Sequence, residues 1–160
     1  FEIIRKKTAA LIAACCASGT NSVGENEETI EKMRLFGEMA GIAFQIKDDM
    51  FDFILNPVIG KPTGIDIREK KITLPLIYTL NTIEKNQKNY VINILKNHNK
   101  DHNKVAEVIS IVKQSGGIEY AKKIMNHYYN EALKILEPFE DNEAKKSLVL
   151  LLDFVVNRKK

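Results

Sequence analysis

Asp48, Asp49 and Asp52, with Gln45 one turn earlier, are the residues whose types and spacing point most directly to chemistry. On a helix advancing roughly 100° per residue, the aspartates share an arc of about 100° that also takes in Gln45 and Gly41. The flanking positions Ile42, Ile46, Met50 and Phe53 are apolar. Like charges three and four residues apart cost a helix roughly 0.2–0.5 kcal/mol per pair, and near a C-terminus the macrodipole adds to that cost. An acidic stripe there is either a solvated face or a place that holds a cation. Oxygen ligands without His or Cys suit a hard ion, Mg²⁺ rather than Zn²⁺. Because Mg²⁺ keeps several waters and takes one or two carboxylates plus phosphate oxygens, the stripe reads as half of a metal–diphosphate site.

The next segment favours the cation. Lys61, Arg68, Lys70 and Lys71 follow closely, and Gly60 and Gly64 permit tight turns between them. A pyrophosphate group requires this combination, with a metal on some oxygens and basic side chains on the rest. Lys6, Lys7 and Thr8 offer a further anion contact, although a lone pair of lysines is more often just surface charge.

Helices must position these groups. Ile30, Met33, Phe36, Met39, Ala40, Ala43, Ile46 and Met50 recur at three- and four-residue steps. Glu25, Glu27, Glu28 and Glu31 mark the start of that helix, and Asn56-Pro57 its expected end, which gives a length of about 30 residues. Gly37 and Gly41 within it cost about 1 kcal/mol each against Ala and imply close packing on a neighbour. An irregular loop is expected over 56–70. Further helices are expected from Thr73-Leu-Pro75 to Leu80, then over 90–96, 105–114, 118–136 and 143–156, with no alternating strand pattern. The fold class is all-α, a bundle of packed helices. Phe36, Phe44 and Phe51 read as core. His98 and His102 lie in an Asn/Lys-rich stretch that reads as an exposed linker.

Composition excludes other classes. With 160 residues, 44% hydrophobic and 28% charged, the chain can bury a core and is not disordered. Its longest apolar runs, Ala9–Ala17 and Leu148–Val156, are about half of what a membrane span needs. A net charge of +3 is too small to argue for nucleic acid. Adjacent Cys15 and Cys16 fit neither a disulfide framework nor a zinc site, so a reduced, cytoplasmic protein is expected.

Gly41-Ile-Ala-Phe-Gln-Ile-Lys-Asp-Asp-Met-Phe-Asp52, then Gly60-Lys-Pro62, Asp66 and Lys71-Ile-Thr-Leu-Pro75, resembles the second aspartate-rich region of trans-prenyl diphosphate synthases. Lys7-Thr8-Ala9, Gly116-Gly-Ile-Glu-Tyr-Ala121, Tyr128 and Leu152-Asp-Phe-Val-Val-Asn-Arg158 extend the likeness along the chain. The resemblance implies an all-α isoprenoid-synthase bundle that condenses isopentenyl diphosphate with an allylic prenyl diphosphate. It implies that Asp48, Asp49 and Asp52 bind Mg²⁺, and that Lys7, Lys61 and Lys71 neutralise the allylic diphosphate. Thr8 and Gln45 would lie near the reacting carbons, and Arg158 with the final lysines would close over isopentenyl diphosphate. Terpene cyclases share the fold, but Gly60-Lys61-Pro62 and Lys71-Ile72-Thr73 fit elongation better.

The family also carries a first aspartate-rich motif on an earlier helix, whereas this chain has Asp-Asp-x-x-Asp only at Asp48–Asp52 and opens on Phe1. The expectation is therefore the C-terminal half of a synthase that is homodimeric at full length, with negligible prenyl transfer by these residues alone. Two alternatives stand beside it: a non-catalytic partner subunit of a heteromeric synthase, and a plain helical interaction module.

Overall fold

The computed structural model describes residues 1–54 and 63–158. Among the described residues every regular element is a helix, as the all-α reading requires. A short α1 (Glu2–Ile4) runs into a π-helical turn (Arg5–Ala9) and on into α2 (Ala10–Ser22). Next come α3 (Glu27–Phe51), α4 (Ile65–Arg68), α5 (Leu74–Thr82) and α6 (Lys85–Asn97). The series closes with α7 (His102–Gln114), α8 (Gly117–Leu136) and α9 (Glu143–Asn157). The chain divides into two compact units, Phe1–Lys47 with Ile124–Lys159, and Asp48–Lys123.

In the first unit, Phe36, Ala132, Leu136 and Leu152 form the core, joined by Cys16, Met33, Met39, Tyr129, Leu148 and Val149. Gly37 and Gly41 are what bring α3 onto the π turn and α2. A methyl group on Gly41 would lie 2.6 Å from the Ala9 Cα, and one on Gly37 2.8 Å from the Ile12 carbonyl oxygen. Close packing is thus the reason for both glycines, as the sequence suggests. Tyr129 on α8 donates a hydrogen bond to Asp153 on α9 at 2.5 Å.

In the second unit, Phe53, Ile67, Leu76, Val91, Ile94, Val105, Val108 and Val112 are buried together. Phe36 and Phe53 are the deeply buried phenylalanines of the acidic helix and its exit, whereas Phe44 and Phe51 are half-buried. Thr79 on α5 is fully buried, donates to the Pro75 carbonyl and shares a hydrogen bond with Ser115. Asp101 caps α7 by accepting from the Asn103 and Lys104 amides at 2.8 and 3.2 Å. This cap lengthens α7 beyond the expected 105–114, leaving His98 after α6 while His102 opens α7. His102 is in contact with Arg68 at 2.9 Å.

One boundary differs in a way that matters for the site. The acidic helix is 25 residues long and stops at Phe51, short of Asn56-Pro57, which lies outside the described residues. The amides of Phe53 and Ile54 turn back to Met50 and Phe51 at 3.1 and 3.3 Å, ending the α ladder in a tight turn. Asp52 is therefore a turn residue. The expected loop over 56–70 also contains α4, a single helical turn that nothing in local propensity announces.

Candidate functional site

The end of α3 presents Gln45, Asp48 and Asp49 on helix and Asp52 just beyond it. Asp49 is buried, at 8% exposure, while Asp48 and Asp52 are half-buried. The backbone around Asp52 is what makes the site compact. Its carbonyl accepts from the Gly64 amide at 2.9 Å. Its carboxylate accepts from the Ile65 amide at 2.7 Å and the Asp66 amide at 3.1 Å, the first two residues of α4. Asp52 thus caps a helix thirteen residues away in sequence, satisfying amides that a helix start leaves unpaired. Gly64 is required for this approach, with φ at 78° and the position of a β-carbon already filled by Val105.

Burial pushes the Asp52 carboxyl above the ordinary carboxylate range, and the negative charge of Asp66 pushes the same way; the α4 amides pull it back only in part. The two carboxylates thus disfavour each other's charge. Lys71 offsets that of Asp66: its ammonium lies 3.7 Å from the Asp66 carboxylate and 2.5 Å from that of Glu69. Its own amide donates to the Asp66 carbonyl at 2.8 Å. The hydrogen bond that it donates to Glu69, foremost, raises the Lys71 pKa and keeps the ammonium charged. Lys70 adopts a left-handed φ of 59° and reaches the Lys96 carbonyl at 2.8 Å, so it is directed away from this group.

In the other unit, the Thr8 hydroxyl donates to the Gln45 side-chain oxygen at 2.7 Å. Thr8 and Lys7 both sit on the π turn, where the Ala10 amide reaches back to the Arg5 carbonyl. Such turns are rare and concentrate at functional sites. Lys7 is exposed. Arg158, after α9, lies over the Phe44 ring at 4.1 Å and donates to the Phe44 carbonyl at 3.3 Å.

Of the residues expected from sequence, the structure joins Thr8 to Gln45, and Asp52 to Asp66 and through it to Lys71. Lys61 lies outside the described residues. Glu69 as the partner of Lys71, and the second role of Asp52 as a cap, were not visible beforehand; an acidic residue two positions before the lysine was the available signal for the first. Among the described residues no three His, Cys, Asp or Glu side chains gather closely enough to hold a metal ion alone. The donors are nonetheless of the type that a hard divalent cation takes: carboxylate oxygens, which such an ion supplements with water and phosphate oxygens.

Helices, an aspartate-rich helix end and a lysine-bearing return loop together define a class. A family model described as polyprenyl synthetase matches residues 1–112, and the chain belongs to that family. The short chain isoprenyl diphosphate synthase of Methanothermobacter thermautotrophicus is 36% identical over 99% of this chain and 48% of its own length. The heptaprenyl diphosphate synthase component 2 of Geobacillus stearothermophilus is 34% identical over 89% of this chain and 43% of its own. The geranylgeranyl pyrophosphate synthase of Bacteroides thetaiotaomicron superposes with a TM-score of 0.89 at 39% identity, covering 99% of this chain and 52% of that one. A polyprenyl synthase of Caulobacter crescentus, solved with calcium and isoprenyl diphosphate, gives 0.91 at 29% identity over 99% of this chain and 49% of that one. The chain spans about half the length of the curated relatives it matches. No helix among the described residues is long and apolar enough to cross a membrane.

Proposed function

We propose that these residues form one wall of a Mg²⁺-dependent prenyltransferase that joins isopentenyl diphosphate head-to-tail to an allylic prenyl diphosphate. The observation that carries this reading is the cap from Asp52 to α4, which fixes the aspartate-rich helix end against the loop bearing Asp66 and Lys71. Asp48, Asp49 and Asp52 would hold the ion; the Caulobacter crescentus polyprenyl synthase was itself solved with calcium and isoprenyl diphosphate. When bound, Mg²⁺ would supply positive charge to the diphosphate oxygens and so ease departure of that group. Lys71 exchanges its bond with Glu69 for one with a diphosphate oxygen, and Lys7 and Lys61 neutralise the remaining charge.

As the allylic carbon–oxygen bond breaks, the electron pair leaves on the diphosphate and the allylic carbon becomes cationic. The double bond of isopentenyl diphosphate attacks that carbon, and the released diphosphate takes a proton from the adjacent carbon, which restores an alkene. The Thr8–Gln45 pair presents oxygen dipoles that steady positive charge and assist that proton's departure. Prenyl transfer by the 160 residues alone is negligible in this reading, because a facing wall is needed to hold isopentenyl diphosphate.

The working protein is a cytoplasmic homodimer. A two-component assembly is the alternative, favoured by the relative that is itself component 2 of its enzyme, and native mass spectrometry separates the two. Thermal unfolding with MgCl₂ and pyrophosphate tests the site directly. The parent chain gains several degrees, the Asp48→Ala variant gains none, and equal gains in both would refute the assignment.

A further inference from the structure

The structure assigns Asn99, in the connection between α6 and α7, the part of a positioning residue that places Lys71 for the diphosphate, an inference that rests on the role proposed for Lys71 above. The end of α4 is where the need for it arises. The Lys70 amide donates to the Ile67 carbonyl at 3.1 Å and the Lys71 amide to the Asp66 carbonyl at 2.8 Å, the paired bonds of a Schellman stop. Such a stop needs a left-handed residue at position 70, ordinarily glycine. Here it is Lys70, with φ at 59°. A side chain at that φ is strained, and strain of this kind persists only where the surroundings over-determine it.

The α6–α7 connection supplies those surroundings. Asn99 is buried, at 7% exposure, between the exposed His98 and Lys100. Its side-chain amide donates to the Arg68 carbonyl at 2.5 Å. The Lys70 ammonium donates to the Lys96 carbonyl at 2.8 Å, so the turn is gripped on both sides of Glu69. The Arg68 side chain is a poorer anchor. One of its terminal nitrogens meets His102 at 2.9 Å, but its Nε is buried with no hydrogen-bond partner among the described residues. A buried N–H left unpaired favours withdrawal of that side chain toward water, whereas Asn99 holds the main chain itself. Without the Asn99 bond, Lys70 relaxes toward an ordinary φ and Lys71 swings away from Asp66.

Isothermal calorimetry of the 160-residue chain with pyrophosphate in excess MgCl₂ tests the proposal through a double-mutant cycle. Asn99→Leu weakens binding roughly tenfold, and Lys71→Ala does the same. In the Lys71→Ala background Asn99→Leu changes nothing further, because the group it positions is gone. Lys70→Gly, which takes the left-handed φ without strain, restores affinity to Asn99→Leu. Lys70→Met alters an exposed side chain and so retains the fold even where Asn99→Leu does not. It lowers affinity about threefold in the parent and leaves Lys71→Ala unchanged. Undiminished affinity in Asn99→Leu or in Lys70→Met overturns the proposal. An equal loss in both backgrounds also overturns it, since Asn99 would then support the fold without acting through Lys71. A parent chain that binds no pyrophosphate removes the diphosphate reading together with the inference that rests on it, whereas a parent that binds beside an unaffected Asn99→Leu removes the inference alone.

Discussion

Asp52 carries two duties that pull its protonation in opposite directions. The α4 amides favour its charged form, while burial and Asp66 disfavour it more, so the folded chain binds this proton more tightly than the unfolded chain. By linkage, the Asp52 contribution to stability falls as pH rises from its ordinary value of 3.8 through the raised folded value. Asp52→Asn removes that titration. In EDTA, the parent chain therefore loses stability relative to the variant as pH rises above 3.8, measured as the difference of their denaturation midpoints. Parallel pH curves would contradict the raised carboxyl. The sequence alone shows Asp52 as one of a set of acidic groups but not as a cap, because the amides it accepts from lie in α4, beyond the reach of any local pattern.

Helix contacts decide the sign of a glycine substitution. Gly19 in α2 has open space where a methyl group would go, so Gly19→Ala stabilises by up to about 1 kcal/mol through helix propensity. Gly41→Ala receives the same propensity gain, but its methyl would sit 2.6 Å from the backbone of Ala9. The shift that relieves this destabilises by about 1–3 kcal/mol and separates Thr8 from Gln45. Urea unfolding of both variants checks the opposite signs. Both α3 glycines were legible as packing devices from their place in an apolar helix. The π turn was not, because Lys6, Lys7 and Thr8 are compatible with an ordinary α-helix and the contact of Ala9 with Gly41 lies far away in sequence.

Each unit of the molecule has its own core, and the two respond separately to damage. Leu152→Ala, at a residue 1% exposed, costs about 2–5 kcal/mol, and Phe53→Ala, fully buried, about 3–5 kcal/mol. Hydrogen exchange read by mass spectrometry distinguishes them. The first lowers protection foremost in α8 and α9, the second in α6 and α7; uniform loss in both variants would show one indivisible cooperative body. Helical periodicity gave most elements to within a few residues, since apolar stripes report directly on burial. The starts at Ile65 and His102 escaped it because capping by Asp52 and Asp101 sets them, and the end at Phe51 because the tight turn through Phe53 and Ile54 sets it, not hydrophobic period.

The π-helical turn at Arg5–Ala9 inserts one residue more than an α-helix would need to pass the same distance. Everything on its N-terminal side is thereby rotated by roughly 100° about the axis relative to an uninterrupted helix. Deleting a single residue between Ile4 and Lys7 would leave Thr8 bonded to Gln45 and swing the preceding side chains onto a different azimuth. The direction in which the chain approaches this polar pair is thus encoded as a phase, by a residue count rather than by any one side chain.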